Sequence, residues 1–124
     1  ADVILPSAMW IEREGMYGNS ERRTQHFNKL VTPPGEAMSD TWQLMEVARR
    51  MGFEKQFPAD WTEQSHIEKI WAEYSLFHAG KKHGVAPYEV LKENPGMRWP
   101  YVDGVETRWR YNTVYGKKNL GRSF

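Results

Sequence analysis

The feature that most limits how this chain can fold is a pair of breaker segments, "VTPPGEAM" at 31–38 and "FEKQFPAD" at 53–60. Proline lacks a backbone N–H and glycine weakens a helix, so neither segment supports a regular element. Between them one helix fits, in "SDTWQLMEVARRMG". Leu44, Val47, Ala48 and Met51 recur at i, i+3, i+4 and i+7, which predicts one apolar stripe. Asp40 is read as the N-cap, with Gln43 three residues on completing a capping box. Arg49 and Arg50 fall in the last turn, and Gly52 suits the C′ position.

Beyond the second breaker, a further helix is expected from near Thr62 or Ser65, with Ser65 and Glu68 as another capping box. Its apolar stripe would be Ile67, Ile70, Trp71, Tyr74 and Phe77–His78, and Gly80 would end it. Pro87 opens a short third helix at N1 and Pro95-Gly96 stops it. Asp103-Gly104 reads as a two-residue hairpin turn. After it Val105, Thr107, Trp109 and Tyr111 alternate with Glu106, Arg108 and Arg110, a half-buried strand, while Pro100 makes the preceding strand an edge. At the other end, the Val3-Ile4-Leu5 run closed by Pro6 suits a short strand buried on both faces, as in a parallel sheet. The polar, glycine-bearing "WIEREGMYGNSERRTQ" at 10–25 follows as an irregular loop. The expectation is therefore a helix-rich α+β chain: strand and loop over 1–30, helices over 31–96, hairpin and tail over 97–124.

Composition narrows the function classes. In 124 residues, 17 basic and 16 acidic side chains leave a net charge of +1. Such a balance argues against a dedicated nucleic-acid arm or an acidic tail. With no cysteine there is no disulfide, thiolate metal site or cysteine nucleophile. No apolar run reaches the roughly 20 residues of a membrane span. Leu, Ile, Val and Phe make up less than a fifth of the chain, while 6 Trp and 6 Tyr supply large apolar surfaces with polar handles. A core leaning on aromatics follows.

Candidate chemistry thins out quickly. His26, His66, His78 and His83 include no pair at i, i+3 or i, i+4, so they read as solvated or capping side chains. Ser20, Ser65 and Ser75 lack a patterned catalytic partner. Glu12 and Glu14 share a face of an extended stretch, where salt-bridged structural carboxylates are the simpler reading. Arg22, Arg23, Lys29 and Arg98, Arg108 and Arg110 beside Trp99 and Trp109 could stack on nucleic acid. The interleaved Glu106 favours a cross-strand ion-pair ladder instead. In the opening loop, Gly15, Gly18, Asn19 and the cations Arg13, Arg22 and Arg23 suit either an anion- or nucleotide-contacting loop or a salt-bridged crossover.

Three ordered blocks carry a resemblance. "ADVILPSAMWIEREGMYGNSERRTQ" resembles the A-D-V-x-L-P…E-x-x-G-x-x-x-N-x-E-R-R segment of the molybdopterin-dependent oxidoreductases, relatives of dimethyl sulfoxide reductase, formate dehydrogenase and nitrate reductase. "PPGEAMSDTWQLMEVARR" and "GMRWPYVDGVETRWRY" are similar to the P-G-E-x-x-S-D-x-W-Q-L and G-L-R-W-P…E-T-x-W-R-Y patterns of periplasmic nitrate reductase catalytic subunits. The wording Tyr17-Gly18-Asn19 and the third block separate them from formate dehydrogenases. A stand-alone helical module that binds protein or nucleic acid is the alternative of a different class.

The resemblance implies an interior piece of a larger multidomain α/β molybdoenzyme, inert alone. In that family the whole enzyme holds a molybdenum bis(molybdopterin guanine dinucleotide) cofactor and a 4Fe-4S cluster, whose ligands lie outside this stretch. It reduces nitrate to nitrite in the periplasm with electrons from a c-type cytochrome. Two cofactor contacts carry over by motif. Arg13 stands in "EREG", where the family usually has lysine, and Asp40 is the Asp of S-D-x-W. Asn19, Arg22 and Arg23 are assigned to holding the crossover together.

Overall fold

The computed structural model describes residues 1–78 and 84–107. Three helices and two small sheets follow in an α+β arrangement, as expected: β1 (Gly15–Gly18), β2 (Arg23–Phe27), α1 (Asp40–Arg50), α2 (His66–Leu76), α3 (Tyr88–Glu93), β3 (Met97–Arg98), β4 (Tyr101–Val102) and β5 (Val105–Glu106). The chain forms two compact units. One comprises Ala1–Gly15 and Phe27–Lys69; the other comprises Met16–His26 and the chain from Ile70 onward.

In the first unit, α1 is bounded by chemistry at both ends. Ser39, not Asp40, is the N-cap: its hydroxyl accepts from the Trp42 N–H, and its backbone is extended. Asp40 is the first helical residue. Serine reaches the N3 amide as well as aspartate does, so the cap moves one residue back and the Asp40 carboxylate is released from that task. At the other end the Gly52 N–H bonds the Arg49 carbonyl and the Phe53 N–H bonds the Ala48 carbonyl. Gly52, at φ +94°, closes this Schellman motif.

The packed face of α1 is not the expected stripe. Met45 is buried, whereas Leu44, Val47 and Met51 are exposed. Trp42 and Arg49 flank Met45, with the Arg49 guanidinium 5.5 Å from the Trp42 ring centre. Arg49 also donates to the carbonyls of Phe57, Pro58 and Trp61. It satisfies the polar backbone of the second breaker, which has no regular partner of its own. Ala8 and Ala37 complete the small apolar centre of this unit.

The N-terminal run does not become a buried strand. Val3, Ile4 and Leu5 are exposed and unpaired. Among the described residues, parallel pairing is limited to a single bridge between Ser7 and Met38, and no strand there covers the apolar run on either face.

In the second unit, the stretch read as an irregular loop is a β-hairpin. Asn19 supplies the turn: its Oδ1 accepts from the N–H groups of Glu21 and Arg23 at 3.0 and 3.1 Å. Such an Asx turn replaces missing ladder bonds, and Arg22 takes the left-handed conformation at φ +62°. β3 adds to β2 in antiparallel register, Arg23 opposite Arg98 and Thr24 opposite Met97. Arg22 donates to the Trp99 carbonyl at 2.6 Å and Arg23 to that of Gly96 at 2.9 Å. These arginines thus tie the hairpin to β3. Ala86, Leu91 and Pro100 are buried in this unit, as is Thr24 of β2.

β4 and β5 form the expected hairpin, with Asp103 and Gly104 at φ +52° and +81°, a type I′ turn. The expected alternation is not seen in the described part of the strand after it, where Glu106 and Thr107 are both half-buried. Val105 is exposed, while Glu106 turns inward and accepts from the Arg98 N–H at 2.8 Å. Arg23 and Arg98 approach its carboxylate at 3.7 and 4.0 Å. Two guanidiniums outweigh the burial of one valine here, and part of the ion-pair ladder is realised. Arg108, Trp109, Arg110, Tyr111, Gly80 and His83 lie outside the described residues.

α2 begins at His66. Ser65 does not form the expected capping box; its hydroxyl donates to the Asp60 carbonyl and accepts from the Thr62 N–H. Ile67, Ile70 and Trp71 are half-buried, and Tyr74 and Phe77 are exposed. α3 follows with Pro87 as N-cap rather than N1.

Candidate functional site: an ion pair at the start of α1

The site forms where the N-terminal segment meets the first turn of α1. Backbone bonds from Ala8 N–H to the Met38 carbonyl and from Met38 N–H to the Pro6 carbonyl fix the two stretches side by side. Gln43 clamps them with bonds to the carbonyls of Pro6 and Met38 at 2.7 and 2.9 Å. A short 3-10 turn over Trp10–Glu12 then redirects the chain. It is closed by the Glu12 carboxylate accepting from the Met9 N–H at 2.8 Å. Arg13 follows in extended conformation.

Arg13 and Asp40 meet here. Arg13 Nη1 lies 3.0 Å from Asp40 Oδ2, and the Ser7 hydroxyl donates to Asp40 Oδ1 at 2.6 Å. Both oxygens of the carboxylate are therefore engaged, and its negative charge sits at the positive end of the α1 dipole. Arg13 is about one-quarter exposed, Asp40 about one-half. One guanidinium nitrogen is left over: Arg13 Nε is buried without a hydrogen-bond partner. Buried donors normally find acceptors, so this one marks a place where an acceptor belongs.

Arg13 borders a cavity of about 180 Å³, lined also by Glu14, Lys29, Ser39, Glu63 and His66. Lys29 and Glu63 make a loose pair at 3.7 Å. The floor is firmer. His66 is only 3% exposed, and its Nδ1 faces the carbonyls of Glu63 and Thr62 at 2.7 and 3.2 Å. Carbonyls can only accept, so Nδ1 carries a proton. Nε2 meets the hydroxyls of Ser39 and Thr41 at 3.2 and 3.1 Å. His66 thereby joins the start of α2 to the cap of α1.

Arg13 and Asp40, 27 residues apart in sequence, are the two positions singled out by motif, and they form one pair. Ser7, Lys29, Glu63 and His66 were not singled out as site residues. Ser39 had a local signal, a capping side chain immediately before Asp40. His66 had none, because its partners come from a breaker segment and from the other helix. Among the described residues no group of three or more His, Asp or Glu is placed to hold a metal ion. No helix among them is long and apolar enough to cross a membrane.

Residues 1–50, the stretch that contains both members of this pair, match the family model of the molybdopterin oxidoreductases. The match covers 50 of the 124 residues, and the similarity applies to that N-terminal stretch.

Proposed function

We propose that the chain is part of a periplasmic molybdenum nitrate reductase, which reduces nitrate to nitrite. Its first 50 residues would help hold a molybdenum bis(molybdopterin guanine dinucleotide) cofactor. The observation that carries this reading is the Arg13–Asp40 pair, whose arginine borders a cavity and keeps one buried guanidinium nitrogen without an acceptor.

The residues present fit the nucleotide end of that cofactor. Asp40 is an acceptor-only carboxylate, matched to the two adjacent N–H donors on the edge of a guanine. Arg13 and Lys29 offer positive charge to phosphate oxygens, beside the carboxylates of Glu12, Glu14 and Glu63 in the same lining. At about 180 Å³ the cavity is smaller than the roughly 300–1,000 Å³ of a complete ligand pocket, as expected of a site that takes one end of a long ligand. The molybdenum, when bound, supplies the redox chemistry; the chain's own residues bind and orient. With no cysteine in the sequence, thiolate ligands to molybdenum and to a 4Fe-4S cluster would come from other parts of the enzyme. Electrons would come from a c-type cytochrome partner. Nitrate is favoured over formate by the "RWPYVDGVETRWRY" block and by Tyr17-Gly18-Asn19.

In the intact enzyme, Asp40→Ala should lower bound molybdenum severalfold, measured as metal per protein, with nitrate rather than formate turned over by the parent enzyme. Undiminished molybdenum would remove Asp40 from the site. Formate turnover without nitrate turnover would overturn the substrate assignment.

A further inference from the structure

We propose that Ser7 is the residue that positions Asp40: it fixes the plane of the carboxylate and so lets the site tell guanine from a base lacking the 2-amino group. The inference rests on the proposed contact of Asp40 with a guanine edge. It starts from the donors around one carboxylate. The Ser7 hydroxyl donates to Asp40 Oδ1 at 2.6 Å, and Arg13 Nη1 lies 3.0 Å from Oδ2. An ionised carboxylate offers about four lone-pair sites, so acceptor capacity remains on each oxygen. Two adjacent N–H groups need one acceptor on each oxygen, in one plane. Asp40 stands outside the wall of the neighbouring cavity, and about half of its side chain meets solvent. A base edge therefore reaches it from the open side.

Holding that plane takes two donors. The last torsion of an aspartate is broad and roughly two-fold, and a half-exposed side chain has little packing to restrict it. One donor on one oxygen leaves the carboxylate free to swing about that contact; a second on the other oxygen removes the swing. Ser7 is held firmly enough to do this. The Ala8 N–H bonds the Met38 carbonyl at 2.9 Å, and the Met38 N–H bonds the Pro6 carbonyl at 3.1 Å. Gln43 of α1 bonds the carbonyls of both Pro6 and Met38. Ser7 and the first turn of α1 thus share one frame. Its hydroxyl is also neutral, so it orients the carboxylate without cancelling the charge that draws the N–H groups of the base.

Titration of the 124-residue chain with guanosine and with inosine, which differ only in the 2-amino group, tests this. Binding is followed by 1H-15N NMR for the parent, Ser7→Ala, Ser7→Cys, Ser7→Thr and Asp40→Asn, and far-UV circular dichroism establishes the helix content of each. The parent should bind guanosine about tenfold more tightly than inosine, the order expected of one further hydrogen bond to a charged acceptor. Ser7→Ala and Ser7→Cys should bring the two nucleosides within about twofold, since the second contact survives only within roughly 10–20° of its direction. Cysteine keeps the shape of the side chain with a weak donor, so it reads the hydrogen bond even if the alanine variant unfolds. Ser7→Thr retains a hydroxyl and should keep the preference. A merely structural contact would lower the stability of Ser7→Ala and leave the ratio as it is in the parent. An unchanged ratio in Ser7→Ala and Ser7→Cys overturns the positioning role while the Asp40 assignment stands. No preference in the parent, or one that survives Asp40→Asn, overturns the guanine contact and the positioning role with it.

Discussion

A single buried imidazole illustrates what a side chain contributes when its partners are scattered through the sequence. His66 donates from Nδ1 to a carbonyl of the segment before α2 and meets two hydroxyls of α1 through Nε2. Removing it takes the 2.7 Å donor from the Glu63 carbonyl, while the Ser39 and Thr41 hydroxyls keep each other and the Trp42 N–H. The full penalty of an unsatisfied buried group then applies, rather than the small net worth of a hydrogen bond. His66→Leu should therefore destabilise the chain by about 2 kcal/mol, read as a lower urea midpoint with unchanged slope. Nothing near His66 in sequence announces this, since its identity matters only once Ser39 and Thr41 are beside it. Asp40 is the opposite case. Its motif is legible, and only the capping expected of it is overturned, because Ser39 performs that task.

At the level of elements, local chemistry was readable and burial was not. The Schellman end at Gly52, the Asp103-Gly104 turn and the three helices all follow from residues within a few positions of one another. Which face packs is decided by distant groups. On α1, Arg49 is drawn inward by three carbonyls of a loop, which rotates Leu44 and Val47 outward against their hydrophobic preference. The hairpin β1–β2 is not legible in the sequence for a related reason: its turn is closed by the Asn19 side chain rather than by a glycine pair. The inward rotation also places Glu46 against Arg49 and Arg50, at 2.6 and 2.9 Å. The hydrogen bond from Arg49 holds the Glu46 carboxyl below the usual glutamate range, against an opposing push from partial burial and with a further contribution from Arg50. A depressed carboxylate stabilises the fold fully above its unfolded pKa and loses that contribution as the pH falls through its folded one. Glu46→Gln should thus cost about 0.5–1 kcal/mol at pH 7. The gap to the parent should close below about pH 4, near the ordinary glutamate value, in chemical denaturation followed across pH.

Among the described residues of the whole chain, few large side chains are buried. Besides Pro100, the buried apolar residues there are Ala8, Ala37, Met45, Ala86 and Leu91, and three of these five are alanines that bury little area. Meanwhile Leu44, Val47, Met51 and Phe53 stay in contact with water. An apolar stripe of that kind drives association in solution. Leu44→Glu combined with Met51→Glu should reduce concentration-dependent scattering without lowering the unfolding midpoint by more than about 0.5 kcal/mol, the usual range for surface changes. A loss of several kcal/mol would mean that the stripe is packed. The interleaving of the two units has a consequence in time. The hairpin β1–β2 is held by Gly96, 73 residues downstream of Arg23. At a synthesis rate of roughly 5–20 residues per second, that hairpin waits on the order of 4–15 s on the ribosome before the strand that completes its sheet has even been made.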